Sequence, residues 1–156
     1  FEAIGYQFEP SEISAAFALI QLEKLEHNIS LRRKYFDKHM VFFREYEDLF
    51  DLPEETEGSY SGWLAFPLIV KEGAPFNRTE FQIFLEERNI QTRVVFTGNI
   101  LRQPGFKNIN CIGKAEDFLV ADEVMKGGVL LGCHHGLNNN QIAHLHEMVQ
   151  TFIKNF

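Results

Sequence analysis

The chain has 156 residues, 45% hydrophobic, 24% charged and 13% aromatic, a balance found in ordinary globular domains and outside the disordered and fibrous classes. A formal charge of -7 excludes an unaided electrostatic grip on nucleic acid or on an anionic membrane, since both need clustered cations. No stretch is apolar over the roughly 18 residues a bilayer span requires, and no secretory signal opens the chain, so the expectation is a cytoplasmic protein whose partners are proteins or small molecules.

The chain opens on Phe1 rather than methionine and is expected to be a piece of something longer. From Ser11 to about Phe50 no proline or glycine interrupts it. Apolar residues recur there at helical spacing, at Ile13, Ala16, Phe17 and Ile20, then Leu22, Leu25, Ile29, Phe36, Met40 and Phe43, which predicts one long helix or two in line. Pro10 and Ser11 suit its first turn, Glu12 faces the positive end of its dipole, and Pro53 marks the far end. A helix of roughly 40 residues would reach about 60 Å, longer than the roughly 40 Å diameter of a compact domain of this size. Its apolar first half would then need a partner surface outside the chain. A helix broken near Arg32 and Arg33 that folds back on itself is the alternative.

The acidic loop DLPEETEGSYSG is expected to act as a hinge, and WLAFPLIV after it predicts a strand in which Pro67 forbids one ladder bond and implies an edge position or a bulge. Asn77 and Glu80 have capping-box spacing before the helix FQIFLEERN, and Asn89 suits the left-handed position at its end. The strand QTRVVF, a loop from Thr97 to Ala115, a helix over about 116–126 stopped by Gly127 and Gly128, and the short strand VLLGC follow. After the turn HHGL, Asn138 and Gln141 repeat the capping-box spacing before a last helix whose apolar face is Ile142, Leu145, Val149, Phe152 and Ile153. This order predicts an α/β (α+β) fold: a long N-terminal helix in residues 1–52, then a small three-stranded sheet covered by helices in residues 53–156.

Asn99, Arg102 and Gln103 cluster just past the carboxyl end of a predicted strand, where α/β sheets tend to hold ligands. Arg102 can fork onto phosphate or carboxylate oxygens, Asn99 and Gln103 offer donors and acceptors to sugar hydroxyls, and Gly98 allows close backbone approach. A polar loop held by its own hydrogen bonds fits the bare pattern equally well. Arg93, between apolar neighbours, serves either this site or a structural ion pair. Cys111 and Cys133 lack a CxxC partner and are expected to be reduced structural thiols. His134 and His135 are adjacent and point to opposite faces, so at most one can serve a given site; His144 and His146, two apart on a helix, are expected at the surface. No metal site and no catalytic residue is assigned. The sixteen phenylalanines are not interleaved with basic residues as a nucleic-acid groove requires, so they are ascribed to packing. Walker, GxGxxG, HExxH and GxSxG patterns are all missing from the sequence, so any chemistry here is expected to need help from elsewhere.

Three strings carry a resemblance. GYQFEPSEISAAFALIQLEKL resembles the lead-in to the long helix of DegT/StrS-type sugar aminotransferases and dehydrases, with Pro10 in place of the usual methionine. TRVVFTGNILRQPGF is similar to a string distinctive of the nucleotide-linked 4-keto-6-deoxyhexose 3-dehydrases of that family, and VLLGCHHGLNNNQI to their penultimate strand and PGL turn, with His135 at the proline. The resemblance implies the C-terminal, small domain of a fold type I enzyme in deoxysugar or lipopolysaccharide biosynthesis. It implies a missing N-terminal large domain, a homodimer, a nucleotide-linked keto sugar as substrate, and pyridoxal phosphate or pyridoxamine phosphate as a cofactor held mostly outside this chain. Gln7 stands at the asparagine that in the family reaches the cofactor phosphate of the other subunit, while Arg93, Asn99, Arg102 and Gln103 are placed toward the sugar nucleotide. The cofactor stores the electrons released as the C3 hydroxyl departs. The Schiff-base position, lysine in the aminotransferases and histidine in the 3-dehydrases, falls outside this chain, so these residues alone are expected to be inactive. An aminotransferase of the same family, or a free-standing α/β module that binds a small ligand or a protein, is the alternative.

Overall fold

The structure, a computed structural model, describes residues 9–106 and 108–156; Gln7 lies outside these. Helix α1 runs from Glu12 to Glu23 and α2 from Leu25 to Phe43. Ser11, expected in the first turn, instead precedes it and caps α1, its extended backbone letting the side chain accept the Ser14 N–H at 3.2 Å. Lys24 alone separates the two helices, its N–H turning to the Gln21 carbonyl at 3.2 Å. The break therefore falls at Lys24, while Arg32 and Arg33 lie inside α2. The helical run stops at Phe43 rather than near Phe50, passing into a 3-10 turn at Arg44–Tyr46. No residue of α1 is buried, and it does not fold back onto the domain.

Arg33 performs a different task. Its two terminal nitrogens donate to the Glu55 carboxylate at 2.8 and 3.0 Å, Nη1 also donates to the Ser61 carbonyl at 2.9 Å, and the Tyr60 ring covers the guanidinium at 4.2 Å. The acidic loop expected to act as a hinge is thereby clamped to α2.

The sheet has four antiparallel strands, β1 (Phe50–Asp51), β2 (Ala65–Val70), β3 (Arg93–Val94) and β4 (Gly128–Gly132), in the order β1-β2-β4-β3. Three were expected. The additional one, β1, is two residues long and too short to show an alternation in sequence. QTRVVF yields only Arg93–Val94, because Phe96 turns into the left-handed region at φ 47. Along β2, Phe66, Leu68 and Val70 are buried alternately. Pro67 sits opposite Leu130 of β4, whereas β1 reaches only Ile69 and Val70. The other side of β2 is open at Pro67, so the expected edge character holds at that residue although β2 is an inner strand.

Helices α3 (Arg78–Glu86), α4 (Leu119–Gly127) and α5 (Asn139–Ile153) complete the fold. The core draws Tyr35, Phe36 and Phe43 from α2, Phe81 and Leu85 from α3, and Ile142, Leu145, Val149 and Phe152 from α5 against the buried sheet residues. Aromatic rings run through it: Phe36 stacks on Trp63 at 4.2 Å, Phe43 on Phe66 at 5.5 Å, and Phe50, Phe81 and Phe152 continue the contact. Most of the phenylalanine content is accounted for by this packing, as composition implied.

Both capping boxes form. Asn138 Oδ1 accepts the Gln141 N–H at 3.0 Å, and Gln141 Oε1 accepts the Asn138 N–H at 2.9 Å; Asn77 and Glu80 do the same for α3. Asn138→Ala is expected to cost about 1 kcal/mol, read as a lower urea midpoint with an unchanged slope. Asn89 takes the left-handed conformation at φ 60. Among the described residues no helix is long and apolar enough to cross a membrane.

Candidate functional site

The loop between β3 and α4 lies close against α4. Gly98 has φ 62, and a Cβ there would overlap the Met125 side chain, so contact with α4 dictates the glycine rather than approach by a ligand. A 3-10 turn at Ile100–Arg102 follows. Asn99 is 3% exposed, and its side chain is fully engaged. Nδ2 donates to the Ala115 carbonyl and to Asp122 Oδ1, both at 2.9 Å, while Oδ1 accepts the Leu101 N–H at 3.2 Å.

Arg102 lays Nε and Nη2 against the two oxygens of Asp122 on α4, the second pair at 2.6 Å. The Arg102 guanidinium holds the Asp122 carboxyl at about 2, well below the usual carboxylate range, and Asn99 assists despite the burial that opposes it. Asp122 in turn raises Arg102 above its ordinary value. Gln103 Nε2 donates to the Thr97 carbonyl at 3.2 Å, tying the loop to itself.

Asp122 thus brings Asn99 and Arg102 together, with Gln103 beside them, while Arg93 is exposed on β3, outside this network. Asn99 turns inward, and half of the fork expected of Arg102 is already filled. Asp122 was not among the residues singled out from sequence, because one carboxylate on a short helix has the pattern of a solvated face.

A second cluster joins distant parts of the chain. His39 is fully buried, with Nε2 3.0 Å from the Gly132 carbonyl and Nδ1 2.9 Å from His146 Nε2. A carbonyl only accepts, so the His39 proton is placed on Nε2, and Nδ1 then accepts from His146 Nε2–H. Burial pushes both imidazoles down to about 4. The expectation that His146 lies at the surface is corrected: it is half-buried, stacks on Phe42 at 4.0 Å, and braces α5 to α2 and β4. Nothing in the i, i+2 spacing signals this, because the partner comes from another helix. His144 is exposed, as expected, with Nε2 3.2 Å from the Arg88 carbonyl.

Among the described residues no group of three His, Cys, Asp or Glu side chains could hold a metal ion. Both cysteines are free; burial pushes the Cys133 thiol up to about 11, and Cys111 is exposed.

A long helix leading into a small antiparallel sheet under helices, with a polar loop braced on α4, defines a mixed helix and sheet unit of the kind found in fold type I pyridoxal phosphate enzymes. The structure of an E. coli GDP-4-keto-6-deoxy-D-mannose-3-dehydratase with bound hydrated PLP aligns with a TM-score of 0.78 at 28% identity, over 92% of this chain and 36% of that one. The chain belongs to the DegT/DnrJ/EryC1/StrS aminotransferase family, which it matches over residues 1–150. It is 32% identical over 154 residues to the lipopolysaccharide biosynthesis protein RfbH of Salmonella typhimurium, covering 97% of this chain and 35% of that protein. It is also 32% identical over 149 residues to a GDP-4-keto-6-deoxy-D-mannose 3-dehydratase of Yersinia pseudotuberculosis, covering 94% of this chain and 36% of that protein. The chain therefore spans little more than a third of the length of these relatives.

Proposed function

We propose that this chain is the C-terminal part of a pyridoxal phosphate-dependent nucleotide-sugar 3-dehydratase, acting in deoxysugar or lipopolysaccharide biosynthesis on an NDP-4-keto-6-deoxyhexose. The observation that carries the reading is the 32% identity to a 3-dehydratase over 94% of the chain. In this reading residues 1–52 connect from a large domain and residues 53–156 form the small domain, with α2 seated on it. The exposure of α1 supports the missing large domain. Ile13 is 74% and Phe17 69% exposed, with Leu19 and Leu22 also open on a helix that is apolar all round. Such helices are buried in their working state, here against the large domain and a second subunit of a cytoplasmic homodimer.

The described residues do not make a cofactor pocket. The Asn99 amide is engaged, the Nε side of Arg102 is filled, and no lysine belongs to the network. The contact with the cofactor phosphate is assigned to Gln7, reaching in from the neighbouring subunit as the family resemblance implies. The part of the described residues is to orient the substrate and exclude water: Arg102, with Arg93 and Gln103, meets the nucleotide diphosphate and sugar as the loop closes the crevice.

Borohydride treatment of the intact, cofactor-loaded protein tests the chemistry. A 3-dehydratase with histidine at the Schiff-base position releases the cofactor on denaturation, whereas covalent retention on a lysine would establish the aminotransferase instead. Arg102→Ala in the same protein is expected to weaken nucleotide-sugar binding roughly tenfold while cofactor affinity holds, since a charge-assisted hydrogen bond to substrate is lost. Equal loss of both would overturn the placement of Arg102.

A further inference from the structure

A guanidinium has two forks: a side-on edge of Nε–H with one Nη2–H, and an end-on edge of the other Nη2–H with Nη1–H. Asp122 fills the side-on edge with both oxygens. Among the described residues, the end-on edge is met only by Glu116, its Oε1 3.7 Å from Nη1, a separation beyond hydrogen bonding. The Glu116 side chain is 71% exposed, and an exposed pair of this kind contributes little. Asp122 is held far more firmly. Its side chain is 12% exposed, and Oδ1 also accepts from Asn99, whose Nδ2 donates in addition to the Ala115 carbonyl at the head of the 3-10 turn that carries Glu116. One network therefore sets both the direction of Arg102 and the reach of Glu116.

We propose that Asp122 is a positioning residue, holding Arg102 by its side-on edge so that the end-on edge meets the diphosphate of the nucleotide sugar, and that Glu116 is a weak competing counter-charge which the diphosphate displaces. This rests on the reading that Arg102 faces the substrate. Discrimination follows from charge. A diphosphate outcompetes one distant carboxylate and bridges Nη1 and Nη2, whereas an uncharged sugar leaves Glu116 where it is.

The test is calorimetric titration of GDP and of dTDP into the intact protein, with KM and kcat for the nucleotide sugar measured in parallel. Glu116→Gln is expected to tighten nucleotide binding by roughly two- to fivefold and to make it more dependent on salt, because the Arg102 charge then faces the diphosphate uncompensated. Asp122→Asn is expected to loosen binding and raise KM roughly tenfold with kcat within about twofold, and Asp122→Glu to recover part of the loss. Arg102→Ala separates the two readings. If it leaves nucleotide affinity intact, the placement of Arg102 fails. If it weakens affinity while Glu116→Gln binds no more tightly, the inference about Glu116 and Asp122 fails and the placement stands. Should Asp122→Asn not fold, Glu116→Gln, altered only at an exposed side chain, still decides.

Discussion

Phe66→Ala is expected to lower the stability of the fold by about 3–5 kcal/mol, the range for deleting a buried aromatic ring. Phe66 is fully buried on β2, and its ring centre lies 5.0 Å from that of His39, 5.1 Å from Phe36 and 5.5 Å from Phe43. Truncation would leave a void between α2 and the sheet whose walls are rigid rings, with little freedom to collapse into it. Against a typical domain stability of about 5–15 kcal/mol, the loss is at least about a fifth of the total. Urea unfolding of the variant checks it. Phe66→Leu, which keeps most of the volume, is expected to cost under about half as much. A cost below about 1 kcal/mol for the alanine would contradict the packing described.

The second large effect is on pH. Stability is expected to fall as the medium is acidified from about pH 6.5 toward 4, by on the order of 3 kcal/mol for His39 alone, with a smaller, solvent-screened contribution from the half-buried His146. The sign follows from burial. Unfolded imidazoles titrate near 6.5, whereas in the fold both are pushed down to about 4. Above 6.5 both states are neutral and the full contribution is present. Below it the unfolded chain takes up protons that the folded pair refuses until about 4, so unfolding gains. Lys38 adds to the repulsion, with Asp37 and Glu45 around the same hollow as the nearby acids. The paired carboxylates Glu55 and Asp122 act lower: their ordinary values are 4.5 and 3.8, each is depressed to about 2, and their contribution is lost only as pH falls beneath those ordinary values. Urea midpoints between pH 7.5 and 4.5 therefore isolate the histidines. His146→Phe, which keeps a ring against Phe42, should flatten the profile, and a wild-type profile already flat would refute the assignment.

Local signals in the sequence were reliable. The two capping boxes, Asn89 and the periodic faces of α2 and α5 depend on residues within a turn or two of each other, and each is found where its spacing placed it. The two-residue strands β1 and β3 were not legible in detail, because their pairing is set by partners far along the chain. The same is true of His39 and His146, 107 positions apart. At the candidate site the string TRVVFTGNILRQPGF marks the family and the loop, yet it could not say which side chains turn inward. That depends on Asp122, 20 positions after Arg102 and delivered by the packing of α4.

The sheet has one more consequence. Its outer members β1 and β3 are each two residues long, and beyond β1 the open flank of β2 carries Pro67. Fibril growth needs an extended unpaired backbone edge to copy, and this domain presents almost none. Stickiness on the part of the polypeptide should therefore arise from the side chains of α1 and remain reversible, yielding clusters that dissolve on dilution rather than amyloid seeds.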